Sequence, residues 1–191
     1  LRQAVALLRR HPRTLFLGAL LLVLVALLPT LLQLILLPLM PAQTGFIQGL
    51  GFALSLLLYP PAVGGYYRLL HAADGERGPS PTAVLDAYVD APLTRRMVVL
   101  NLLFVSLTLL VISLLSLAFG GEALMQFLRE LSALQPGAKV LPAWPRGALP
   151  LLFAMALVGV ALVSAQGLAS AEAALRERPP LSALPAALLA T

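Results

Sequence analysis

The stretch Thr14–Tyr67, TLFLGALLLVLVALLPTLLQLILLPLMPAQTGFIQGLGFALSLLLYPPAVGGYY, holds no charged residue in 54 positions. About 20 apolar residues suffice to cross a bilayer as a helix, so this stretch is long enough to cross twice. Its break is Pro38-Leu39-Met40-Pro41-Ala42-Gln43-Thr44-Gly45. There two prolines and a polar pair end one helix and start another.

Two further charge-free stretches follow, Met97–Gly121 and Gly147–Ala171. The four expected spans therefore lie at about 14–38, 45–70, 95–119 and 148–172. The fold class is all-α, a polytopic transmembrane helix bundle forming a single transmembrane domain over 1–191. Composition agrees. The chain is 60% hydrophobic and 11% charged, against about a quarter charged in ordinary soluble domains. A short chain cannot hide that much apolar surface in its own core, because a small domain keeps much of its surface exposed. A bilayer can take it up.

The distribution of Lys and Arg orients the spans. One side carries Arg2, Arg9, Arg10, Arg13, Arg68, Arg77, Arg95, Arg96, Arg176 and Arg178. The other carries Arg129, Lys139 and Arg146. Ten against three puts both ends and the 71–94 segment in the cytoplasm, with 39–44 and 120–147 facing outward. Arginine supplies 12 of the 13 basic residues in an Ala- and Leu-rich chain, which is associated with GC-rich bacterial genomes. The expected location is a bacterial inner membrane. The basic start before Leu15–Met40 has no signal-peptide character, since the apolar stretch is too long and lacks a cleavage site. A chain running from Leu1 to Thr191, inside an apolar run, reads as a piece of a longer protein.

Short amphipathic helices at the membrane surface are expected at about 1–11, 81–91, 122–135 and 181–190. In the second, Ser80 and Pro81 suit a helix start, Val84, Leu85, Tyr88 and Val89 share one face, and Asp86 and Asp90 another. In the third, Leu124, Phe127, Leu128, Leu131 and Leu134 recur at helical spacing. Such helices connect spans along the interface or offer a lipid or partner surface. A weak repeat, His71–Pro79 against Glu172–Pro180, suggests a unit of interfacial helix plus membrane hairpin. A third unit would then be missing its hairpin after Thr191, which implies six spans in all.

Sites of chemistry are sparse. No charge lies in the middle of a span, which argues against ion pumping and proton coupling. Without cysteine, and with only His11 and His71, no metal or cofactor is expected. Asp74 and Glu76 are expected to pair with Arg68 and Arg77 at the interface. No phosphate-cradling loop and no nucleophile elbow occur, and scattered arginines give no support to nucleic-acid binding.

The polar residues inside spans are Gln33, Gln48, Asn101 and Gln166. They suit interhelical hydrogen bonds or a cavity lining. Small residues at Gly45 and Gly49, and at Gly159, Ala161, Ala165 and Ala169, suit close helix packing. The most unusual stretch is Tyr59-Pro60-Pro61-Ala62-Val63-Gly64-Gly65-Tyr66-Tyr67-Arg68. Two prolines remove the donors for the Leu56 and Leu57 carbonyls and should kink or break the helix. A broken span can line a cavity, here bounded by Gln48, Tyr59, Tyr66 and Asn101.

Leu8-Arg9-Arg10-His11-Pro12, Pro61-Ala62-Val63-Gly64-Gly65-Tyr66-Tyr67 and Ala72-Ala73-Asp74-Gly75-Glu76 together resemble a group of uncharacterised proteobacterial polytopic inner-membrane proteins of about six spans. These are similar to the membrane domains attached to some glycerophosphodiester phosphodiesterases. The resemblance implies fold and location, and carries no site residue. The expected function is that of a non-enzymatic accessory or assembly subunit of a larger membrane complex, with lipids and other membrane subunits as partners. The alternative is a transporter or lipid-handling protein using the proline-broken second span.

Overall fold

The computed structural model describes residues 9–75, 79–132 and 144–175. Expected interfacial helices at 1–11 and 181–190 lie largely or wholly outside these residues. Four helices are long and apolar enough to cross a membrane. They are α1 (Pro12–Leu39), α2 (Thr44–Asp74), α4 (Ala91–Phe119) and α6 (Ala148–Leu175). A short α3 (Ala83–Asp86) follows α2, α5 (Gly121–Ser132) follows α4, and a single 3-10 turn, Pro41–Gln43, joins α1 to α2. No strand occurs among the described residues. The protein is a multi-pass α-helical membrane protein.

Local chemistry explains the ends. Pro12 opens α1, where its missing N–H costs nothing. At the other end Met40 adopts φ −136°, away from helical geometry, because Pro41 crowds the residue before it. The Asp90 side chain accepts a hydrogen bond from the Leu93 N–H at 3.1 Å and so caps α4. Gly120 closes α4 at φ +71°, a left-handed conformation that glycine adopts without strain, and α5 starts at the next residue.

Two expectations change here. The segment expected as an interfacial helix over 81–91 is helical only at Ala83–Asp86. Turns flank it, and Asp90 ends it by capping the next helix. Its apolar residues do not share one buried face: Val84 is buried, while Val89 is 87% exposed. Second, α2 is not broken at Pro60-Pro61. It runs without interruption from Thr44 to Asp74, with both prolines buried. A membrane helix tolerates proline where neighbouring groups satisfy the backbone. The Tyr88 hydroxyl also donates to the Leu58 carbonyl, next to the Leu56 and Leu57 carbonyls that the prolines leave without their usual donors, and ties that turn to the segment after α3.

The packing is centred on α2, which touches α1, α3, α4 and α6. One of its faces meets α1 and α3 through Leu15, Val25, Ala62, Leu69, Ala73 and Val84. Another supports the α4–α6 pair, where Met97, Leu100 and Phe104 pack against Ala165, Ala169 and Ala173. The alanines recur every fourth residue, which keeps them on one side of α6 and lets the bulkier α4 side chains come close.

The core is unevenly placed. Its two clusters lie toward the end of the bundle that carries Arg68, Asp90 and Arg96. No residue of α4 from 105 to 119 is buried. At the other end the buried residues are fewer, among them Ile47, Ala148 and Leu151.

Candidate functional site

Three helices converge on a cleft of about 190 Å³ in the packed half. From α2 come Tyr59, Pro60, Val63 and Tyr67. Val63 and Tyr67 follow Tyr59 and Pro60 at spacings of three and four, which keeps them on one side of the helix. From α4 come Met97 and Asn101, and from α6 come Val163, Gln166, Gly167 and Ser170. Tyr59 and Val163 are 42% and 69% exposed, so they form a rim on the lipid-facing surface. The cleft opens sideways toward the bilayer.

Hydrogen bonds between helices hold its polar lining. Gln166 Nε2 donates to Asn101 Oδ1 at 3.0 Å. The Tyr67 hydroxyl donates to the Gly167 carbonyl at 3.2 Å. No lining residue is acidic or basic. The site can offer neutral donors and acceptors. It has no ionised group with which to hold a counter-charge or run acid–base chemistry.

The residues expected at a cavity separate into two groups. Tyr59, Pro60 and Asn101 line the cleft. Gln48 and Tyr66 do not. The Gln48 carbonyl accepts from Gln33 Nε2 at 3.3 Å, tying α1 to α2 beyond the cleft. Tyr66 points the other way and packs with the α1–α3 cluster. Pro61 is buried in α2. Gly64 and Gly65 lie on different contacts. A Cβ at Gly64 would stand 3.0 Å from Met97 Cγ, and one at Gly65 would stand 2.3 Å from the Val84 backbone oxygen.

Among the small residues, Ala165 and Ala169 are fully buried against α4. Gly45, Gly49 and Gly159 have nothing within 4 Å of a would-be Cβ, and Ala161 is exposed. None of these four is buried against another helix. The cleft also contains Tyr67, Gly167 and Ser170, which were not among the expected residues. The signal for the α6 pair was present: Val163, Gln166, Gly167 and Ser170 follow an i, i+3, i+4, i+7 pattern that puts them on one helix face.

A charged layer lies at the same end of the bundle. Arg68 Nη1 meets Asp90 Oδ2 at 2.7 Å, with the side chains 35% and 31% exposed. Arg68 thus pairs with Asp90 rather than with Asp74, while Glu76 and Arg77 lie outside the described residues. The Leu93 backbone N–H, then the Arg68 hydrogen bond, with the charges of Arg68 and Arg96 adding to them, hold the Asp90 carboxyl below its ordinary range.

No known protein family matches the chain, and neither a curated protein nor a solved structure matches it.

Proposed function

We propose that this chain is a non-enzymatic, lipid-handling protein of a bacterial cytoplasmic membrane. The observation that carries the reading is the lateral cleft: it opens on the lipid-facing surface between Tyr59 and Val163 and has a polar but uncharged lining. A cleft of 190 Å³ is smaller than the roughly 300–1,000 Å³ of a pocket that encloses a drug-sized molecule. It suits part of an amphiphile whose remainder stays in the bilayer.

Native mass spectrometry after extraction in mild detergent tests this. The wild-type protein is expected to carry lipid adducts. Gly167→Leu, which puts a side chain into the cleft, is expected to lose most of them. Equal adducts on both proteins would count against the reading.

A second reading, an accessory or assembly subunit, is supported by the more sparsely packed end of the bundle. There Gly45 and Gly49 on α2 have nothing within 4 Å of a would-be Cβ, and no residue of α4 from 105 to 119 is buried. Small residues of that kind admit a close-packed helix from another subunit. A pull-down in mild detergent should then return a stoichiometric membrane partner. A monodisperse monomer without one would remove this reading and leave the first intact.

The orientation with both ends cytoplasmic follows from the arginine bias. The chain has no cysteine, so single cysteines report cleanly. In intact cells with a permeabilised outer membrane, an impermeant maleimide is expected to label Ser132→Cys but not Ser80→Cys. The reverse pattern would invert the topology.

A further inference from the structure

We propose that the cleft selects the uncharged, hydroxyl- and ester-bearing end of a neutral glycerolipid such as diacylglycerol, and rejects anionic phospholipids. The inference rests on the lipid-handling reading of the same cleft and adds the class of ligand.

Three observations lead to it. The first is the chemistry of the lining. The Asn101–Gln166 pair spends one N–H and one carbonyl lone pair on itself. An amide side chain has two N–H donors and an acceptor oxygen with two lone pairs. The pair therefore keeps both donors and acceptors, and Ser170 adds a hydroxyl that can do either. A ligand group with both an ester carbonyl and a hydroxyl matches such a set.

The second is charge. None of the lining side chains is ionisable to a cation at neutral pH. A phosphate drawn into the cleft would lose its water and meet no counter-charge, which is strongly unfavourable.

The third is depth. Asn101 lies five residues beyond Arg96 along α4, about 8 Å at 1.5 Å per residue. Arg95 and Arg96 mark the headgroup level, so the amide pair sits below it, in the hydrocarbon layer. A phosphorylated headgroup stays at the interface. An uncharged one can sink to the amides. The 190 Å³ of the cleft equals about six water molecules at roughly 30 Å³ each, enough for a glycerol ester end but not for the acyl chains. Those would leave between Tyr59 and Val163 into the bilayer.

The test uses the whole protein in nanodiscs containing a trace of lipid with a photoreactive diazirine close to the glycerol. The probes are diacylglycerol, phosphatidic acid and phosphatidylglycerol with identical chains. Cross-linked peptides from the cleft helices are counted against those from the lipid-facing surface of α1. Diacylglycerol is expected to label the cleft about tenfold more than either anionic lipid. Gln166→Leu and Asn101→Leu should abolish that preference.

Removing an interhelical amide can also loosen the bundle, so Val163→Trp is the companion variant. It narrows the mouth from an exposed position and leaves the amides in place, and it should lower cleft labelling with the melting profile unchanged. If all three lipids label the cleft equally, or if Val163→Trp leaves diacylglycerol labelling unchanged, the proposed class is wrong while the lipid-handling reading stands. If no lipid labels the cleft above the α1 background, both fall.

Discussion

Gly65→Ala is expected to be among the most damaging single substitutions in the protein. Alanine is ordinarily the better helix residue, by up to about 1 kcal/mol over glycine. At position 65 the added methyl would meet the Val84 oxygen at 2.3 Å and the Val84 carbonyl carbon and Cα at 2.8 Å. These are backbone atoms, and they cannot rotate away as a side chain does. The α3 segment would have to lift off α2. Val84, fully buried, would lose its place, and with it the Tyr88 bond to Leu58 and the Arg68–Asp90 contact would be disturbed. Overpacking of this kind costs about 1–3 kcal/mol, and an obstacle made of backbone points to the upper end.

Gly49→Ala is the control. Nothing lies within 4 Å of its would-be Cβ, so it should be neutral or slightly stabilising. Circular-dichroism melts of both variants in the same detergent make the comparison. Equal melting points would show that α3 is not seated on Gly65 as described.

Asp90 is the second. It caps α4 through the Leu93 N–H and pairs with Arg68 across to α2. Asp90→Ala removes both roles. The lost cap costs about 1 kcal/mol. The pair is about one-third exposed, and solvent screening keeps its share near or below another ~1 kcal/mol. A loss of about 2 kcal/mol is therefore expected. Asparagine caps helices as well as aspartate does, so Asp90→Asn should lose only the charge-dependent part.

The pH dependence carries its own sign. A carboxyl held below its ordinary value of 3.8 stabilises the fold above that pH. The contribution disappears as pH falls through the folded value. Wild-type stability should thus drop below about pH 4 by an increment that Asp90→Asn does not show. Parallel acid profiles for the two proteins would mean that the carboxylate charge contributes nothing.

Much of this organisation is readable in the residues. The charge-free run from Thr14 to Tyr67 places two spans because lipid offers no partner to an ion or a bare peptide group. A helix is then the remaining conformation for an apolar run of that length. Pro41, Pro92 and Gly120 mark helix ends through their own backbone restrictions. Pro60 and Pro61 point to the right turn but the wrong outcome. Whether two prolines break a helix depends on what surrounds it: here both are buried, and Tyr88, 30 positions along the chain, ties the adjacent Leu58 carbonyl to the segment after α3. Likewise, 81–91 has a plausible helical pattern. Its extent is decided by Asp90, which serves the following helix instead.

The cleft divides in the same way. Asn101 and Gln166 stand out in the sequence as polar residues in apolar spans, but nothing local shows that they meet, 65 positions apart. Tyr66 and Tyr67 are neighbours with opposite fates, one against α1 and α3, the other bonded to Gly167, because adjacent side chains on a helix diverge by about 100°.

The long apolar run alone determined that this is a membrane-spanning helical protein, since the cost of burying polar groups in lipid acts residue by residue and needs no knowledge of neighbours. Which faces of α2 meet which partners, and so which polar side chains face the bilayer in a common cleft, was decided only by the tertiary packing. Apolar side chains gain nothing from leaving lipid for one another. The helices are placed instead by close van der Waals fit and a few interhelical hydrogen bonds, which depend on shape in three dimensions.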